Sequence, residues 1–214
     1  MSDPASRLAI VRDAISAACK VARRKPSDVT LIAVTKGRTA HEIEPLIAAG
    51  QRDFGENRVQ EAQAKWQEIR ARYPDIRLHM IGQLQSNKAE EAAALFDSIH
   101  SLDRPSLLKA LVKAGAALPV YVQVNIGGEE QKGGVPVAEL PAFVDEVRAS
   151  PLPLAGLMCI PPADQHPGPY FALLAELARR HDVTGLSMGM SADYATAVTL
   201  GATVVRVGSA LFDD

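Results

Sequence analysis

Eight short apolar runs alternate with helical stretches along almost the whole chain, and that alternation most constrains how it can fold. The runs cover residues 29–34, 52–55, 77–81, 97–101, 119–126, 152–160, 184–188 and 203–207. Helical periodicity fills the intervals 41–49, 57–73, 86–94, 104–117, 137–149, 169–181 and 191–200, and a further helix over 5–24 stands in front. Pro26, Gly50 and Pro74 end helices, Ser86 reads as an N-cap, and Pro105 falls in a first turn. Strict β/α alternation with short loops means a parallel sheet. Eight such units close naturally into a (β/α)8 barrel. The competing architecture is an open doubly wound sheet, but no GxGxxG follows the first strand. No linker, low-complexity segment or second domain interrupts the pattern. The expectation is one α/β barrel domain over 1–214 with an extra N-terminal helix.

The glycines sit just beyond the strand ends, at Gly37, Gly55, Gly82, Gly127, Gly189 and Gly208, where a barrel builds its active site. Within that frame, residues 29–38 (VTLIAVTKGR) stand out. The run is too continuously apolar for a half-exposed strand and ends in one lysine, Lys36. If strand geometry persists, Lys36 shares a face with Thr30, Ile32 and Val34. An ammonium at the mouth of an apolar core is costly, so such a site favours a nucleophilic amine suited to Schiff-base chemistry with an aldehyde. Taken alone, this stretch fits better a lysine that snorkels into water at a strand end.

The second informative stretch is the last, VVRVGSALF over 204–212. It brings Arg206 inward, in phase with Val204 and Gly208, and then opens a Gly208-Ser209 turn into a nascent helix. Such a turn offers backbone N–H groups and a hydroxyl to an anion. The loop over 187–193 (Ser187, Met188, Gly189, Met190, Ser191, Ala192, Asp193) is equally small and also precedes a helix. Either loop alone reads as an ordinary cap or turn. Together with the strand-end lysine they point to a phosphorylated aldehyde bound covalently. Glu56, Asn57, His79, residues 83–88, Asn125, Lys132 and Met158 converge on the same face, although Asn57 can simply cap a helix and His79 can be a bonded core histidine. The other histidines show no useful spacing, and Trp66 reads as packing.

Composition removes other classes. With 47% hydrophobic residues, 22% charged and a net charge of −2, the chain is an ordinary globular protein with no basic patch for nucleic acid or an acidic membrane. The N-terminus lacks a signal-peptide core, and no run spans a membrane. Cys19 and Cys159 lie far apart with no metal-ligand spacing, which fits two reduced thiols in a cytoplasmic protein with no metal. No long amphipathic stripe is left over, so a monomer is expected.

The segments AVTK, FGENRVQE, HMIGQLQSNK, VNIGGEEQKGG, GLMCIP, LSMGMSADYATAV and VVRVGSALF, in that order, closely resemble the pyridoxal phosphate homeostasis proteins, the YggS/PROSC family. The match runs from about Val29 to Phe212. It implies the fold of the alanine racemase N-terminal barrel and pyridoxal 5′-phosphate (PLP) as cofactor, held as a Schiff base on Lys36. It further implies phosphate bound by Ser187, Gly208 and Ser209 with main-chain groups of Met188, Gly189 and Met190. Arg206 would lie near the pyridine nitrogen, with Asn57 and His79 lining the pocket. The chain departs from the family at Arg58, where tyrosine is commoner, and at Ser209, where threonine is. The stretch 161–181 is shorter than usual, which bears on one rim of the pocket, and the chain stops soon after the eighth strand.

The resemblance leaves two readings of activity. PLP enzymes usually pair a protonated pyridine nitrogen with a carboxylate so that the ring draws electrons. An arginine there opposes ring protonation, although alanine racemase works with one. Racemases of that class also add a domain that supplies a tyrosine base, and none of Tyr73, Tyr121, Tyr170 or Tyr194 sits in an obvious motif for it. The favoured expectation is a PLP carrier in intracellular vitamin B6 and amino-acid homeostasis, without robust catalysis, with apo-forms of PLP enzymes as recipients. The alternatives are a small PLP enzyme such as a weak racemase, and a barrel that binds another phosphorylated metabolite.

Overall fold

Each expected run is a strand in the computed structural model, which describes residues 3–212. In chain order they are β1 Thr30–Val34, β2 Asp53–Glu56, β3 Arg77–Met80, β4 Ser98–Leu102, β5 Val120–Asn125, β7 Leu154–Met158, β8 Gly185–Ser187 and β9 Val204–Val207. A two-residue strand that the sequence does not announce, β6 Val135–Pro136, pairs with the end of β5, Val124 opposite Val135. All pairings are parallel. β4 pairs with β5, and β9 returns to β1 with Thr30 opposite Val204 and Ala33 opposite Val207, so eight strands close a barrel. The fold is the expected (β/α)8 barrel.

The helices lie outside it: α1 Pro4–Val21, α2 Ala40–Ala48, α3 Val59–Arg72, α4 Ala89–Leu95, α5 Pro105–Lys113, α6 Leu140–Arg148, α7 Gly168–Arg180, α8 Tyr194–Thr199 and α9 Ser209–Phe212. Asp3 caps α1 by accepting from the Ser6 amide, and Pro4 begins it. Thr39 and Glu42 close a capping box on α2. Because α9 is a single turn, it cannot cover the seam between β9 and β1. α1 does so instead, packed against α2, α8 and α9. Among the described residues no helix is long and apolar enough to cross a membrane.

Alternation along the strands separates two interiors. Leu31, Ala33, Phe54, Leu78, Ile99, Val122, Leu157, Leu186 and Val205 turn outward and join Trp66, Leu46, Leu111 and Leu174 of the helices in one apolar cluster. The inner faces carry Ile32, Met158 and Val204 together with buried Ser98, His100, Ser187 and Arg206. Burial on both sides is why the strands read as continuous apolar runs. Space inside comes from glycine. A Cβ on Gly156 or Gly185 would stand 2.5 or 3.0 Å from Cε1 of Tyr121, whose ring occupies that volume. The ring stacks on His100 with centroids 4.2 Å apart. Cys19 and Cys159 are both free and buried.

One expectation needs correction. β1 ends at Val34, and Lys36 lies two residues beyond it with an exposed side chain. It is Thr35, not Lys36, that the barrel buries. The chain leaves the strand before Lys36, so its side chain stands exposed at the strand ends rather than buried among the inward residues of β1.

Candidate functional site

Lys36 stands at the mouth of a cleft of about 500 Å³ at the C-terminal end of the strands. Asn57, Met190, Arg206, Gly208 and Ser209 line the same cleft, with Val34, Ile81 and Ile160 supplying apolar walls. Among the described residues nothing hydrogen-bonds or pairs with the Lys36 amine. Its backbone, by contrast, is fixed from both sides. Thr35 donates its amide to Gly55 O at 3.0 Å and its hydroxyl to Oε1 of the fully buried Glu56 at 2.6 Å. Lys65 Nζ, from α3, donates to Thr35 O at 2.7 Å and to the same Glu56 oxygen at 2.9 Å, where Trp66 Nε1 also donates at 2.9 Å. On the other side, Gly37 N–H donates to Glu61 Oε1 at 2.5 Å. The first turns of α3 therefore hold the lysine-bearing turn while leaving its amine free.

The opposite wall is made by the two anion-type loops. Ser191 Oγ accepts from the amides of Gly208 at 3.1 Å and Ala210 at 3.3 Å, which ties the β8 loop to the β9 turn. Gly189 takes φ +94°, and a Cβ on it would lie 2.5 Å from that of Ala197. That backbone turns Met190–Ala192 toward the cleft. The Met188 amide is spent on Val204 O and the Met190 amide on Asp193 Oδ1. Phe212 forms the outer rim beneath the guanidinium of Arg38, 5.0 Å from its ring centroid.

Arg206 sits at the cleft floor with only 3% of its surface exposed. Its Nη1 donates to Ser187 Oγ at 2.6 Å and its Nη2 to Cys159 O at 2.9 Å. Among the described residues no carboxylate pairs with it, and burial pushes its pKa down. A buried guanidinium with neutral partners leaves a positive charge for an acceptor in the cleft. The same burial pushes the Cys159 thiol up to about 12, so it is no nucleophile.

The structure thus brings together Lys36, Asn57, Met190, Arg206, Gly208 and Ser209. It does not bring the side chains of His79, Ser187 or Met188 to the cleft wall. His79 is deeper in the barrel, bonded to Asp53 and Ser98. Ser187 turns to Arg206 and His100, and Met188 packs outward among the helices.

Comparison with known proteins now bears on this site. A family model described as "Alanine racemase, N-terminal domain" matches residues 10–214. The chain is 42% identical to the pyridoxal phosphate homeostasis protein of Pseudomonas aeruginosa, covering 99% of this chain and 96% of the relative. It is 40% identical to the protein of that name from Escherichia coli, covering 99% and 97%. Among solved structures it is similar to PipY of Synechococcus elongatus with PLP bound, at TM-score 0.82 and 38% identity over 98% of this chain and 100% of that one. The chain belongs to the pyridoxal phosphate homeostasis family.

For this family member, sequence reasoning misses the residues that act from behind the cleft. Glu56, expected with Asn57 on the cleft face, instead turns outward to Lys65 and Trp66, where a tryptophan reads as packing. His100 lies on a strand buried on both faces (Ser98–Leu102), so no polar alternation marks its inward phase. Ser191 reads as a cap, and it does cap, but across two loops.

Proposed function

We propose that this protein binds PLP by reversible covalent attachment to Lys36 and serves intracellular PLP homeostasis as a carrier, without robust turnover of its own. The observation that carries the reading is the pairing, in one cleft, of a partner-free amine with a buried guanidinium that has only neutral partners. The donor set fits the cofactor. Lys36 offers the amine, Arg206 a donor for a ring acceptor, and Gly208 and Ser209 with the turn after Gly189 a small-residue surface for phosphate. The cleft volume is in the range for a molecule of this size. Bound PLP supplies an aldehyde that a lysine amine takes up reversibly.

The chain's own residues favour holding over catalysis. Arg206 can only donate, so a ring nitrogen facing it must accept and stay unprotonated. No tyrosine is among the residues that line the cleft, and Tyr121 lies inside the barrel against His100, where burial raises its pKa. The exposed position of Lys36 supports loading from and release to solvent or to apo-forms of PLP enzymes. The name of the family, and PLP in the PipY structure, support the same reading.

The test is an absorption titration with PLP, run beside hydrogen exchange at the α-carbon of alanine in deuterated water. The expected result is a saturable visible band, lost in Lys36→Ala, with exchange no faster than free PLP gives. Exchange well above that level in wild type, abolished by Lys36→Ala, would make the protein an enzyme.

A further inference from the structure

A chain of hydrogen bonds crosses the barrel from its N-terminal end to the cleft floor, with a triangle at its middle where His79 Nδ1 also lies 3.3 Å from His100 Nε2. Asp53 Oδ1 meets His79 Nε2 at 2.9 Å, and His79 Nδ1 meets Ser98 Oγ at 2.7 Å. Ser98 Oγ meets His100 Nε2 at 3.0 Å, His100 Nδ1 meets Ser187 Oγ at 2.8 Å, and Ser187 Oγ meets Arg206 Nη1 at 2.6 Å. The members come from β2, β3, β4, β8 and β9, so the file bridges strands that are not neighbours.

One self-consistent set of protons runs between its ends. Arg206 has donors only, so Ser187 accepts from it and has its own proton to offer His100 Nδ1. His100 is then the neutral Nε2–H tautomer and donates to Ser98, whose proton goes on to His79 Nδ1. His79 in turn donates its Nε2–H to Asp53. Asp53 also takes a two-pronged contact from Arg77, Nε at 2.8 Å and Nη2 at 2.6 Å, which suits an ionised, acceptor-only carboxylate. Burial, helped by His79 and Arg206 nearby, drives the His100 pKa well below its usual value, consistent with the neutral ring.

We propose that His100 is a positioning residue for the cofactor site: the proton-ordered file from Asp53 to Ser187 is a strut that holds the Arg206 guanidinium in the cleft while contributing no negative charge beside it. This rests on the reading that Arg206 faces bound PLP. A carboxylate in place of Ser187 would hold the guanidinium as firmly but neutralise it. A neutral histidine–serine pair fixes its direction and leaves its charge for the ligand.

The test is long-range ¹H–¹⁵N histidine spectroscopy on the full chain at neutral pH, with and without PLP, together with His100→Phe, which keeps a ring against Tyr121 but removes both bonds. In wild type His100 is expected as the neutral Nε2–H tautomer. In folded His100→Phe, PLP is expected to bind about three- to tenfold more weakly, with a displaced visible band, as loss of the neutral hydrogen bond behind the Ser187–Arg206 contact implies. The label should still form on Lys36. A protonated or Nδ1–H His100 in wild type would overturn the strut even if PLP binds, and that measurement needs no variant. Unchanged affinity and band in folded His100→Phe would overturn the positioning role. Failure of wild type to take up PLP would overturn the function reading and the positioning role with it, whatever the tautomers.

Discussion

Thr35 Oγ1 donates to Oε1 of Glu56 at 2.6 Å, and the residue this bond serves is its neighbour, Lys36. The strand ends at Val34, so Lys36 has no ladder bonds of its own. Its place is set by the buried Glu56, which also receives Lys65 and Trp66, while Lys65 reaches back to Thr35 O. The amine can then be exposed and mobile at its tip while its Cα is fixed, a geometry that suits a group meant to capture and release.

Removing Glu56 takes away an acceptor that three donors share and leaves the Trp66 indole N–H without one. Glu56→Ala is expected to cost about 3–5 kcal/mol, the range for breaking a buried ion pair from one side. Urea unfolding checks it. Glu56→Gln should cost less, because one oxygen can still accept. Equal losses in both variants would mean that charge, not the acceptor oxygen, holds the turn.

His100 imposes a pH dependence on stability. Its pKa is driven down in the folded protein by burial first, then by His79 and Arg206, so below about pH 6.5 the unfolded chain binds a proton that the folded chain refuses. The contribution is therefore full above about pH 6.5 and falls with acidity by up to about 1.4 kcal/mol per pH unit. Asp53 adds a separate loss below about pH 4, since bonds from His79 and Arg77 outweigh its burial and hold its pKa low. Urea midpoints at pH 7, 6 and 5 should drop in wild type and drop less in His100→Phe. Parallel slopes in the two proteins would contradict this.

The eight-stranded barrel is legible in the sequence because strands buried on both faces give long apolar runs, and proline, glycine and serine mark the helix ends. Lys36, Arg206 and the Gly208-Ser209 turn are legible for the same reason: each interrupts an apolar run at a strand end. What stays hidden is inward polarity. Ser98 and His100 look like accidents within a buried strand, and only closure of the barrel shows that they face Ser187 across it. Likewise Trp66 reads as core, and it is fully buried against Phe54, yet its indole N–H is also a donor to Glu56. Two-residue β6 has too few residues to leave any pattern.

Gly189 carries the β8 loop into the cleft. Gly189→Ala meets both a positive φ and a 2.5 Å contact with Ala197 Cβ, and is expected to cost about 1–3 kcal/mol and to displace Met190–Ala192. Thermal unfolding and PLP affinity should fall together. A variant with wild-type affinity would show that this turn does not shape the cleft.

Both cysteines should resist modification in the native state. Cys159 is fully buried with its thiol pushed up to about 12 by burial, and Cys19 is equally buried with its pKa raised by the same cause. Iodoacetamide should label neither until urea unfolds the chain. Rapid native labelling of Cys159 would place it in a solvent path to the cleft.

The most direct measurement is borohydride reduction of the protein after incubation with PLP, followed by peptide mass mapping. A single reduced pyridoxyl phosphate on Lys36, absent in Lys36→Ala, is the expected result. Attachment at other lysines with Lys36 unmodified, or no attachment at all, would contradict a carrier built on Lys36 and return that residue to a solvated strand end.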